Sequence, residues 1–134
     1  MIDFERAKEI AVAASGDDAC AAEFKAVVAN VTPLAADAAR LTAHEALRIY
    51  KIKAWSAQRA GIDAHGLDQT LRRLAKRRDD EPLLLFVFRD ASRSYFVFIS
   101  GADESFIGCM SLPNRSPDPD VDWSTGAPVR RKPE

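Results

Sequence analysis

Two runs constrain this chain more than any other feature. Leu83-Leu-Leu-Phe-Val-Phe88 and Tyr95-Phe-Val-Phe-Ile99 are apolar at every position, and only Arg89-Asp-Ala-Ser-Arg-Ser94 separates them. Aromatic and β-branched residues favour strands, and a short polar spacer between two such runs fits a hairpin. An antiparallel sheet usually keeps one face in water, so apolar and polar residues alternate along it. Here they do not. On the first strand Leu83, Leu85 and Val87 share a face, and Leu84, Phe86 and Phe88 share the other. On the second, Tyr95, Val97 and Ile99 oppose Phe96 and Phe98. A third strand is expected over Ser105 to Leu112, with Phe106, Gly108, Met110 and Leu112 against Ile107, Cys109 and Ser111. The link Gly101-Ala-Asp-Glu104 is short, so a three-stranded antiparallel meander is the simple topology. Either helices of the same chain cover both faces of this sheet, or another molecule covers one. On the second alternative Phe86, Phe88, Phe96 and Phe98 are partner-binding residues, because a large exposed apolar patch marks an interaction site, and a homodimer is one form of it.

The first half of the chain offers helices for the cover. Phe4, Ala7, Ala11 and Ala14 recur at helical spacing and stop at Ser15-Gly16. Cys20, Phe24, Val27, Val28 and Val31 make a second stripe, with Asp17 and Asp18 at its positive end. Thr32-Pro33 reads as another helix start, threonine as cap and proline where no amide is needed. Thr42-Ala-His-Glu45 has capping-box spacing and opens a helix that runs to Gly61. Ala46, Leu47, Tyr50, Ala54 and Ala57 form its inward face, while Ile49, Ile52 and Trp55 widen the apolar surface as though it touched two neighbours. A shorter helix carries Leu67, Leu71 and Leu74. The expected fold is therefore α+β. Four to five N-terminal helices pack on the meander in one domain over 1–112, and a proline-rich flexible tail follows at 113–134.

Totals narrow the function classes. A chain of 134 residues that is 47% apolar can build one core without staples. Two cysteines, Cys20 and Cys109, are too few for a secreted disulfide scaffold. The opening Met-Ile-Asp-Phe-Glu-Arg-Ala-Lys lacks a basic leader before an apolar core, so no signal peptide is expected. No run approaches the roughly 20 apolar residues of a spanning helix. Together these point to a soluble cytoplasmic protein with no membrane partner, and the alanine content fits a bacterial source.

Net charge is only −1, but it is segregated. Residues 1–39 hold seven acids and three bases, 40–78 ten bases and three acids, and 79–134 ten acids and six bases. A basic middle between acidic flanks fits either a solvated helical surface or a site for an acidic protein or a phosphate. The bases Arg72, Arg73, Lys76, Arg77 and Arg78 are the densest part, although Asp79-Asp80-Glu81 follows directly. Acidic Asp118-Pro-Asp-Val-Asp-Trp123 adds Trp123 as a second partner anchor in the tail.

One stretch carries a resemblance. Ala57, Gly61, Ile62, Leu67, Leu71 and Leu74 are spaced as in the helix-turn-helix core of winged-helix regulators, which the segment resembles over about 20 residues. That resemblance implies a recognition helix near 64–78, with His65, Asp68 and Gln69 toward bases, Arg72 and Arg73 toward phosphates, and the apolar hairpin as wing. Against it, Lys53 and Ser56 stand where the preceding helix should be apolar, and a wing usually carries charge.

Signs of catalysis are thin. Glu45 beside His44 already has a capping role, Cys109 sits in strand-like sequence, and two histidines with two scattered cysteines make no metal spacing. No glycine-rich phosphate loop and no nucleophile elbow occurs. The reading is a small non-catalytic binding module of inhibitor or immunity type, needing no cofactor or metal and acting by protein contact. Its rival is a winged-helix DNA-binding regulator.

Overall fold

The structure, a computed structural model, describes residues 2–34 and 37–114 and two short strands farther on. Its first two helices are each set by an aspartate. Asp3 accepts the Arg6 amide at 2.8 Å and starts α1 (Phe4–Ala13); Asp18 accepts the Ala21 amide at 2.8 Å and starts α2 (Ala19–Val27). N-cap carboxylates satisfy amides that the helix itself leaves unpaired. A 3₁₀ turn follows each helix, and then come β1 (Thr32–Pro33) and β2 (Ala39–Thr42). Thr42 ends β2 and opens α3 (Ala43–Ala60) with a complete capping box: its Oγ1 accepts the Glu45 amide at 3.2 Å, and Glu45 Oε1 accepts the Thr42 amide at 2.9 Å. Gly61, left-handed at φ +68, terminates α3. After α4 (Leu67–Ala75) come β3 (Pro82–Arg89), β4 (Arg93–Ser100) and β5 (Phe106–Pro113). Farther on, β6 (Val121–Asp122) pairs with β7 (Ala127–Pro128). The rest of the tail expected to be flexible, Trp123 included, lies outside the described residues.

The sheet is antiparallel throughout, and it has five strands rather than three. The β3–β4–β5 meander is its body. β2 pairs with Pro82 to Leu85 and β1 with Phe88 and Arg89, so both share the outer edge of β3. Thr32-Pro33 is thus an edge strand and not a helix start. Proline is tolerated there because the ladder continues past it, through the Leu34 amide to the Val87 carbonyl at 2.9 Å. Among the described residues the α-helices number four. One bulge corrects the facing of the third strand. Phe98 pairs with Gly108 but Ile99 with Phe106, so Ile107 is the extra residue. Phe106 therefore shifts to the side of Ile99, while Ile107 joins Met110 and Leu112.

Helices of the same chain cover both faces, which settles the demand of the two apolar runs. On one side α1 and α2 bring Ala7, Ile10 and Phe24 onto Phe86, Phe88 and Val97. Phe4 meets Phe86 and Phe88 edge-on at 5.1 and 5.5 Å. On the other side α3 and α4 bring Ala46, Tyr50 and Leu74 onto Leu85, Phe96 and Phe98. The result is three layers, helices–sheet–helices. Phe86, Phe88, Phe96 and Phe98 are at most 8% exposed, so they are core residues and not the partner-binding surface that the missing alternation allowed. Each contributes roughly 2–3 kcal/mol by leaving water. β3 and β4 are interior strands, so the hairpin is not a solvent-exposed wing either.

Candidate functional site

With the sheet covered, the large apolar side chains left in solvent are few, and three of them lie on α3. That helix packs inward through small residues (Ala43, Ala46 and Ala57), which lets it lie close to the sheet, and through Tyr50, edge-on to Phe98 at 5.2 Å. Arg48, Ile52, Trp55 and Arg59 follow one another at i, i+4, i+7 and i+11, a single line along the opposite side of the helix. Ile49 flanks the line. Ile49 is 42%, Ile52 60% and Trp55 59% exposed. Among the described residues no second element covers them, contrary to the expectation from their spacing.

The ridge is cationic as well as apolar. The Arg59 guanidinium lies over the Trp55 ring at 4.8 Å, a cation–π contact that holds both side chains in place. Over its length α3 carries four bases (Arg48, Lys51, Lys53, Arg59) against one acid, Glu45. Glu45 is engaged in its cap, where the Thr42 amide first and the Thr42 hydroxyl second hold its carboxyl below the usual carboxylate value. Arg48 and Lys51 form no ion pair among the described residues. Beside Trp55 an open groove of about 450 Å³ runs between α3 and the start of α4, lined by Ala54, Ile62, Leu67 and Asp68 among others.

The basic run of α4 does not form one site. Arg72 and Lys76 face solvent. Arg73 reaches inward: its Nη1 donates to Asp18 Oδ2 at 2.6 Å and to the Ile107 carbonyl at 3.2 Å. Arg77 pairs with Glu81 at 3.2 Å and Arg78 with Asp80 at 3.8 Å, so the acids that follow them in sequence screen them. Asp68 and Gln69 are exposed on α4, but His65 is not aimed outward with them. Its backbone exchanges hydrogen bonds with Ser111 at 2.8 and 2.9 Å. Its Nδ1 lies 2.8 Å from Glu23 Oε2 and its Nε2 3.1 Å from Asp63 Oδ1.

Around His65 the fold assembles a polar cluster that spacing alone does not reveal. Arg93 Nε donates to Ser111 Oγ at 2.6 Å, and its Nη2 donates to the carbonyls of Asp63 at 2.5 Å and Ser111 at 3.0 Å. Tyr95 donates to Glu23 Oε1 at 3.4 Å. Its phenol is pushed up to about 12, by burial first and by the Glu23 charge second. Histidine, carboxylates, tyrosine and serine in one place are the ingredients of acid–base chemistry. Here each bonds another, and Ser111 is buried. With Arg73 and Thr70, His65 and Ser111 also line the outer edge of β5. The Ile107 carbonyl accepts Arg73, the Cys109 carbonyl accepts Thr70 Oγ1 at 3.2 Å, and Ser111 bonds the His65 backbone. An edge closed in this way offers no template to another strand.

His44 stands exposed on the first turn of α3, and Cys109 is buried, so the structure does not bring them together. Among the described residues no helix is long and apolar enough to cross a membrane, and no group of three or more metal-binding side chains converges. Comparison with protein-family models, curated proteins and solved structures finds no match.

Proposed function

We propose that this chain is a non-catalytic binding module of inhibitor or immunity type, which grips a protein partner of acidic character through the outer face of α3. The observation that carries this reading is the Arg48–Ile52–Trp55–Arg59 line, left bare on a molecule that buries its other aromatic runs on both sides of the sheet. Tryptophan and arginine are the residues that most often dominate binding energy at interfaces. Trp55 is already held by Arg59, so little side-chain freedom is lost on docking. The surrounding lysines and arginines favour an acidic partner and disfavour a basic one.

The test is affinity capture from the source cell with the wild-type chain and with Ile52→Ala/Trp55→Ala. An acidic protein held by the wild type and lost by the variant, with an unchanged melting curve, supports the reading. Equal capture by both sinks it. Duplex DNA bound by the wild-type chain, with an affinity that falls steeply with salt and with Arg72→Glu/Arg73→Glu, moves the assignment to the nucleic-acid class.

A further inference from the structure

Cys20 lies in the first turn of α2 and Cys109 within β5, 89 positions apart in sequence. In the folded chain their Sγ atoms are 3.0 Å apart, and both side chains are buried between α2 and the sheet. Both ends of this meeting are held. Two residues before Cys20, Asp18 is tied to Arg73; Cys109 is paired with Val97 in the ladder, and its carbonyl accepts Thr70. Gly66, left-handed at φ +72, presses on the pair from the side: a Cβ there would collide with the Cys109 carbonyl oxygen and lie 2.8 Å from the Cys20 Cβ. The close approach of the two sulfurs is therefore built into the fold, with Gly66 packed directly against it.

We propose that Cys20 and Cys109 form a thiol–disulfide exchange site, oxidised by a disulfide-class oxidant to an intrachain disulfide that staples α2 to β5. A disulfide needs about 2.05 Å between sulfurs, so the pair closes by about 1 Å in total. The Cys109 thiol is pushed well above the ordinary thiol value, by its hydrogen bond with Cys20 first and by burial second, which keeps its proton in place. The thiolate of one cysteine attacks one sulfur of the oxidant and expels the other half as a thiolate, leaving a mixed disulfide. The sulfur of the second cysteine then loses its proton, attacks the first and expels the second half. Two protein S–H bonds are lost and one S–S bond forms; two electrons and two protons leave with the oxidant as two thiols. Because the sulfurs are buried, exchange occurs while α2 is lifted from the sheet or before it docks. Once closed, the bond is shielded from reductants. The pair is a staple in an oxidising medium and a packed dithiol in a reducing one.

The experiment uses the full chain and the oxidised and reduced glutathione couple as probe. One sample is incubated folded and a second is refolded from denaturant in the same buffer; thiols are then counted in denaturant, and intact mass is recorded. The expected result is loss of both thiols, a mass lower by two hydrogens, a single chain, and a melting temperature raised by about 10 °C or more, since a cross-link over so long a loop strongly restricts the unfolded chain. Dithiothreitol added in denaturant, followed by refolding, reverses all of it, and Cys20→Ala and Cys109→Ala show no such shift. Two free thiols in both samples, a persistent glutathione adduct, or a disulfide between chains would overturn the proposal. A variant that fails to fold does not obscure the outcome, because the thiol count and the mass are read on the wild-type chain.

Discussion

Asp18 accepts the Ala21 amide with one carboxylate oxygen and the Arg73 guanidinium with the other, and its side chain is only 3% exposed. Removing one member of such a pair leaves a buried charge without its partner, which is strongly destabilising; removing both is far less so. Arg73→Met is therefore expected to lower unfolding free energy by about 3–5 kcal/mol. Asp18→Ala/Arg73→Met is expected to lower it by clearly less than the sum of the single changes, in urea melts of the three variants and the wild type. Gly66 is the second residue on which the fold turns. Alanine there adds a left-handed backbone penalty of about 1–2 kcal/mol to a collision with the Cys109 carbonyl. A total loss of about 2–4 kcal/mol is expected from Gly66→Ala, against almost none from Gly16→Ala, where a Cβ meets open space. Neither role is legible in the sequence. Arg73 looks like one more base in a run of bases, and Gly66 like any loop glycine, because what fixes both comes from α2 and β5, far away along the chain.

Thr42 shows how closely neighbouring elements are coupled, since the last residue of β2 is also the cap of α3. Thr42→Ala is expected to destabilise by about 1 kcal/mol, with Thr42→Ser restoring most of it, in thermal melts. The reciprocal half of the cap gives a pH dependence. The folded-state carboxyl of Glu45 is held below its unfolded value of about 4.3, so its contribution is present above that value and lost as pH falls through the lower folded one. Asp103, held low by the Ser105 hydroxyl and amide, acts in the same direction. Stability is expected to fall as pH drops below about 4, and less steeply in Glu45→Gln. This box was legible because all its parts lie within four residues. The helices were legible for the same reason, their caps and periodicity being local. β1 and β2 were not: short strands of two and four residues, exposed in β1 and only half-buried at the end of β2, owe their existence to β3, some forty or more positions later. The Ile107 bulge was invisible for the same cause. For α3 the periodicity told which residues share a side, but not that Ile52 and Trp55 stay more than half exposed.

At the scale of the whole molecule, the question is what surface is left for contact once the apolar runs are covered. Both sheet faces lie under helices, β1 and β2 occupy the outer edge of β3, and Arg73, Thr70 and His65 close the outer edge of β5. Among the described residues the largest exposed apolar group that remains is the α3 ridge, apolar at its centre and positive around it. Two copies meeting ridge to ridge would each bring four bases and one acid, and like charges across an interface suppress association until salt screens them. At low ionic strength the screening distance is about 30 Å, so the chain is expected to be a monomer by light scattering in that regime. An acidic partner sees the same field with opposite sign. Its association should be fastest at low salt, and charge reversal at Arg48 and Arg59 should slow it by about tenfold or more there. Trp55→Ala, which removes buried contact rather than charge, should instead act mainly on dissociation. Surface plasmon resonance of the two variants at two salt concentrations separates these effects. A dimer at low salt that Trp55→Ala dissolves would mean the ridge is self-complementary, and the partner would then be a second copy of the chain.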